Sequence, residues 1–125
     1  GAKGLFCPTI YNEPFGYVAI EAMLSGTPVI TVDWGAFTET VQHGVTGFRC
    51  RTFEQFLWAA KNIDTISPRA CREWAEANYN FKKIGSMYKE YFESIINVSK
   101  GTGWYTENDS RTELDWLTKI HPKLD

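Results

Sequence analysis

The chain has 125 residues, a formal net charge of -2, and hydrophobic and aromatic fractions of 43% and 15%. That is one domain's length with ample apolar mass for a core, and it excludes a disordered chain. Lys and Arg number 13 against 15 Asp and Glu, so there is no electrostatic footprint for wrapping nucleic acid or gripping an anionic bilayer.

No apolar run approaches the roughly 20 residues that a membrane span needs, and no targeting segment is visible. Cys7, Cys50 and Cys71 are widely spaced, with no C-x-x-C and no histidine at metal-ligand spacing. Reduced core thiols are expected, and with them a reducing, cytoplasmic setting, at the cytoplasmic face of a membrane if further segments carry the chain there. The sequence opens Gly-Ala-Lys and runs almost directly into an apolar stretch, so it reads as a piece of something longer.

Residues 5–7 are apolar and closed by Pro8, which suits a short buried strand ending at a loop. The loop 9–13 delivers Pro14, whose fixed φ and missing N–H suit a first helical position, with Glu13 as the cap. In the helix that follows, Val18, Ala22 and Leu24, flanked by Ala19 and Met23, give an apolar surface around most of the circumference. Gly26 suits a left-handed C-terminal cap and Pro28 forbids continuation. Val29-Ile30-Thr31-Val32 lacks polar alternation, the pattern of a central parallel strand buried on both faces.

Residues 37–42 suit one or two helical turns, stopped by His43-Gly44 with His43 at the helix end, and 45–50 a turn feeding a short strand. Thr52-Phe53-Glu54-Gln55 is a capping box, after which Phe53, Phe56, Leu57, Ala60 and Ile63 are expected on one face. Ser67-Pro68 opens another helix, with Cys71, Trp74, Ala75 and Asn78 on a stripe and its end near Asn80. Residues 81–98 give the longest periodic pattern, through Ile84, Met87, Tyr88, Tyr91, Phe92 and Ile95. Past a glycine-rich turn, Leu114, Trp116, Leu117 and Ile120 suggest a short amphipathic helix ending at Pro122.

The order strand, helix, strand, small strand, helices predicts an α/β fold: a partial Rossmann-like open parallel sheet with flanking helices, its ligand at the carboxyl ends of the strands. Residues 1–98 would form a partial α/β domain and 99–125 a tail with a short helix.

Two loops face such a crevice. At the first, the amides of Phe15, Gly16 and Tyr17 open a helix, a ready site for phosphate, and Gly16 leaves the backbone approachable. Glu21, five residues past Gly16, is placed to accept from a ribose diol, and Glu13 lies nearer the reacting end. The structural alternatives are that Glu13 caps the helix and Glu21 is a solvated polar position, although an acid among Val18, Ala19, Ile20, Ala22 and Met23 would need a partner. At the second loop Gly35-Ala36 permits close backbone approach and Glu39 starts the next turn. An ordinary strand-to-helix turn, with Glu39 favourable to the helix dipole, accounts for the same residues.

Pro8-Thr9, Glu13-Pro14-Phe15-Gly16, Glu21-Ala22-Met23, Gly26-Thr27-Pro28-Val29-Ile30, Gly35, Glu39 and Gly44-Val45-Thr46-Gly47-Phe48 together resemble, in order, the donor-binding half of the family-4 retaining glycosyltransferases of the GT-B fold. The resemblance runs over residues 5–48 and more loosely to 98. It implies transfer of a sugar from a nucleotide-sugar donor, with Glu13 as the catalytic residue contacting the sugar hydroxyls and Glu21 on the ribose. The Phe15, Gly16 and Tyr17 amides would meet the diphosphate or sugar, and Gly35 and Glu39 would complete the donor site. It implies no metal and no cofactor beyond the donor substrate, positive groups and helix amides neutralising the leaving diphosphate.

The family usually carries two glycines where this chain has Gly35-Ala36. Its diphosphate-gripping basic residues and its acceptor domain lie upstream of the matched segment, so the isolated chain is expected to be inactive. Sugar, lipid and protein all remain open as acceptor. A second reading is a non-catalytic binding or interaction module of the same half-fold, with Trp104, Tyr105 and Trp116 as its contact surface. A sheet edge left unpaired would also favour self-association.

Overall fold

In the computed structural model, residues 1–101 are described. They fall into two units, Gly1–Asn80 and the segment that starts at Phe81. The expected helix at 114–122 and the aromatic surface of Trp104, Tyr105 and Trp116 lie outside the described residues.

The first unit is built on three parallel strands, β1 (Leu5–Cys7), β2 (Val29–Val32) and β3 (Gly47–Cys50), in the order β1-β2-β3. All four residues of the central β2 are buried. Burying Val29, Ile30 and Val32 contributes about 1.5–3 kcal/mol each. The register aligns Phe6, Ile30 and Phe48 on one face of the sheet. Helix α3 (Phe53–Asn62) covers that face: Phe56 packs on Phe6 at 5.3 Å and Trp58 on Phe48 at 5.1 Å between ring centroids. Helices α1 (Tyr17–Leu24) and α4 (Pro68–Tyr79) pack on each other and close the opposite face. The short α2 (Phe37–Thr40) links β2 to β3, and a 3-10 turn, Ile63–Thr65, follows α3. The open α/β sheet expected from the sequence is therefore present.

Local chemistry explains the boundaries. The capping box forms: Thr52 Oγ1 accepts from Gln55 N, and Gln55 Oε1 accepts from Thr52 N. Ser67 caps α4, with Pro68 in its first turn, and α4 ends at Tyr79, beside the expected Asn80. Gly26, at φ 74, closes α1 as a left-handed cap. Gly47 pairs with Val29 so tightly that a methyl group there would collide with the Val29 carbonyl oxygen. Cys50 and Cys71 are buried, Cys7 is partly buried, and all three are free thiols.

Four expectations need correcting. Helix α1 begins at Tyr17 and not at Pro14, because Gly16 is left-handed at φ 82 and interrupts the helical path. Of the apolar surface of α1 only Ala19, Ile20 and Met23 are buried, and Val18, expected to pack with them, is exposed beside Tyr17 and Glu21. Helix α3 turns Phe56, Ala59 and the following Ile63 inward and leaves Phe53, Leu57 and Ala60 outside, since small Ala59 lets the helix approach the sheet. Finally, α2 stops at Thr40, and His43 forms an isolated bridge with Gly47 in place of a helix end.

In the second unit, α5 (Phe81–Lys100) is the long helix predicted from periodicity. Met87, Tyr88, Tyr91 and Phe92 are exposed along it, with Tyr88 and Phe92 stacked at 6.0 Å. No helix among the described residues is long and apolar enough to cross a membrane.

Candidate functional site

The carboxyl ends of β1 and β2 carry the two loops singled out by sequence, and these loops are joined to each other. Ala36 N–H donates to the Glu13 carbonyl at 2.8 Å. The Trp34 indole N–H donates to the Tyr11 carbonyl at 3.2 Å. The close approach that Gly35 permits, at φ 61, is by the backbone of Asn12 and Glu13. That glycine serves the union of the two loops, a role not foreseen when it was assigned to approach by a ligand.

Glu13 is the best-held side chain of the site. Its Oε1 accepts from Gly16 N at 3.0 Å and from Phe15 N at 3.5 Å, and its Oε2 accepts from the Tyr11 hydroxyl at 2.7 Å. The Tyr11 hydrogen bond above all, with smaller help from the two amides against desolvation, holds the Glu13 carboxyl below the usual carboxylate range. The same contact pushes the Tyr11 phenol up. Cys7 is raised by burial and then by the nearby Glu13 charge.

Glu13 thus caps the turn before α1, and it occupies the Phe15 and Gly16 amides that sequence assigned to phosphate. The next amides, of Tyr17 and Val18, have no acceptor among the described residues, because they lie in the first turn of α1, whose intrahelical bonds begin with Ala19 and Ile20 donating to Gly16 O. They stand at the positive end of α1. Gly16 itself is fixed from both sides: a methyl there would lie 2.7 Å from the buried Phe37 ring and 3.5 Å from Glu13 Cγ.

The remaining predicted residues lie further out. Tyr17 and Glu21 are one turn apart on the exposed side of α1. The Glu21 side chain has no partner among the described residues, so the premise of a buried acid in need of one is overturned: Ala19, Ile20 and Met23 point to the core while Glu21 is exposed beside Val18. Glu39 is exposed in the first turn of α2. Its charge raises the phenol of Tyr79, already raised mainly by burial, and the Tyr79 ring meets Phe15 edge-on at 6.1 Å. Phe15 also packs on Tyr17 at 4.6 Å.

Sequence reasoning missed an ion-pair cluster at the ends of β2 and β3. Asp33 pairs with Arg51 Nε at 2.8 Å and with Arg49 Nε at 3.5 Å, and Arg49 Nη1 donates to the Thr38 carbonyl at 2.8 Å. Arg49 N–H donates to His43 Nδ1 at 3.0 Å. The cluster ties β3 to α2 and the second loop. The only sequence signal for it was opposite charge at the ends of adjacent strands. Tyr11 and Trp34 were likewise passed over, since neither belongs to a periodic pattern.

Comparison with known proteins gives this geometry a context. The family model for glycosyl transferases group 1 matches residues 1–81. The D-inositol 3-phosphate glycosyltransferase of Nocardia farcinica is 49% identical over 134 residues, covering 95% of this chain and 29% of its own. The uncharacterized glycosyltransferase MJ1607 of Methanocaldococcus jannaschii is 36% identical over 102 residues, 76% of this chain and 23% of its own. Anabaena Alr3699/HepE, solved in complex with UDP and glucose, aligns with a TM-score of 0.64 and 26% identity over 74% of this chain and 28% of that one. It has also been solved with UDP-glucose. The chain spans about a quarter of the length of the curated relatives it matches.

Proposed function

The chain belongs to the group 1 glycosyl transferases, and from that premise we propose that it forms part of the donor site of a retaining, family-4-type GT-B enzyme that transfers a hexose-like sugar from a nucleotide sugar. One observation carries the reading: both oxygens of the Glu13 carboxylate are held by hydrogen bonds at the carboxyl end of a parallel sheet. A carboxylate fixed and ionised in that position suits recognition of sugar hydroxyls, since it accepts hydrogen bonds without first having to be ordered. The UDP-glucose bound by the Anabaena neighbour in one structure, and the UDP and glucose bound in the other, favour a UDP-sugar as donor.

On this reading Glu13 orients the transferred sugar and Glu21, solvated and unpartnered, meets the ribose. The Tyr17 and Val18 amides at the head of α1 face the diphosphate, where charge develops as it leaves, while the Phe15 and Gly16 amides serve the site by holding Glu13. Gly35 contributes by letting the two loops meet, and Glu39 stands at the margin. The chain spans about a quarter of its relatives' length, and on this reading the acceptor side belongs to segments that those relatives carry and this chain does not, so that this chain alone would not transfer sugar.

The test is transfer and donor hydrolysis by the complete protein across a panel of nucleotide sugars, with Glu13→Gln and Glu21→Ala beside the parent. The expected result is loss of turnover in the first variant and weaker donor binding in the second. Unchanged rates in both would overturn the assignment and leave a binding module of the same half-fold.

A further inference from the structure

Tyr11 sits on the loop after β1, two residues before Glu13, and nothing in the transfer chemistry yet gives it a task. It is held at both ends. Its carbonyl accepts from the Trp34 indole at 3.2 Å, across from the second loop. Its hydroxyl donates to Glu13 Oε2 at 2.7 Å, on the opposite side of the carboxylate from the Gly16 amide that holds Oε1. A carboxylate gripped at one oxygen alone, here Oε1 by the Gly16 and Phe15 amides, can still rotate about its last torsion, because such sp² torsions are broad. The phenol closes that freedom.

The support is built from the second loop upward: Trp34 fixes the Tyr11 backbone, Ala36 fixes the Glu13 backbone, and Tyr11 fixes the Glu13 side chain. We propose that Tyr11 is a positioning residue for sugar transfer, acting through Glu13 by orienting its carboxylate. The proposal rests on the donor-site reading of Glu13. Around the carboxylate, the titratable groups are Tyr11 itself and Cys7 at the end of β1; the second loop presents Trp34, Gly35 and Ala36, and the head of α1 presents Phe15 and Gly16, none of which titrates.

The experiment is Tyr11→Phe in the complete protein, which removes one hydroxyl and keeps the ring. Three quantities are read: the midpoint of the Glu13 carboxyl by carbon-13 NMR, the pH profile of kcat, and the donor KM. The expected result is a raised Glu13 midpoint, an acid limb of kcat moved to higher pH by the same amount, and kcat lower by about tenfold, the scale of one hydrogen bond to a charged group. The donor KM should hardly change, and thermal stability at neutral pH should fall only by the part of the Glu13 stabilisation that the hydroxyl supplies.

An unmoved Glu13 midpoint would overturn the proposal whatever the rates do. A moved midpoint with unchanged kcat in Tyr11→Phe, while Glu13→Gln abolishes transfer, would also overturn it and leave the donor-site reading intact. If Glu13→Gln left transfer untouched as well, the donor-site reading itself would fail, and the proposal with it.

Discussion

Gly35 lies against the backbone of Glu13 so closely that a methyl group on Gly35 would stand 2.7 Å from Glu13 N and 2.9 Å from its carbonyl oxygen. The two residues belong to different loops, and the contact is sealed by the Ala36 N–H to Glu13 carbonyl bond. Gly35→Ala would meet two obstacles at once, backbone atoms that cannot turn aside and a left-handed φ of 61. We expect a loss of about 1–3 kcal/mol in unfolding free energy, with an unchanged denaturant slope. Donor affinity should fall further than stability does, because the displaced residue is Glu13. A variant as stable as the parent would refute the contact.

The Glu13 carboxyl, held low mainly by Tyr11, gives stability an acid dependence whose sign is fixed. A folded-state pKa below the unfolded value means that the carboxylate stabilises the fold above the ordinary glutamate pKa, and that this contribution is lost as pH falls through the depressed folded value. The stability difference between the parent and Glu13→Gln should therefore narrow as pH drops into and below the ordinary glutamate range. Urea unfolding at a series of pH values measures it; a difference that stays constant across the window would be incompatible with these hydrogen bonds.

Much of this frame was legible because its determinants are local. Val29-Ile30-Thr31-Val32 could be little other than a buried strand, and Thr52-Gln55 and Ser67-Pro68 carry their helix starts in the side chains themselves. What failed was decided across the fold. Pro14 is a sound local cue for a helix start, but Gly16 turns left-handed beside Phe37, a residue on another element. Two overlapping apolar stripes are available on α3, and only the sheet, by favouring Ala59 at the point of closest approach, selects between them. Glu13 was visible as a candidate from its motif. Its support by Tyr11 was not, since the Trp34 bond that fixes Tyr11 spans 23 positions in sequence.

Glu21 offers a separation of binding from stability. Its side chain is exposed and unpaired among the described residues, so Glu21→Gln should change unfolding free energy by no more than about 0.5 kcal/mol, the usual range for a surface site. Donor affinity in the complete protein should nevertheless fall by about five- to tenfold, the loss of a charge-assisted hydrogen bond to a ribose hydroxyl. Calorimetric titration with the nucleotide sugar, beside a thermal melt, reads both quantities. A large stability loss would mean that Glu21 serves the fold; unchanged affinity would remove it from the donor site.

The outer edge of β1 argues for association between chains. Among the described residues β1 pairs with β2 alone, and Phe6 at its centre is 48% exposed although it packs on Phe56 of α3. An unpaired strand edge flanked by apolar side chains can be satisfied by a second strand, and lysine on such an edge opposes pairing by placing charge where the neighbour would lie. The 125-residue chain should accordingly show concentration-dependent growth in mass by light scattering, and Phe6→Lys should reduce it. Substituting Phe92, equally exposed but on α5, should leave the association unchanged if the strand edge is responsible. A monomer at every concentration, or an effect at Phe92 alone, would refute the role given to β1.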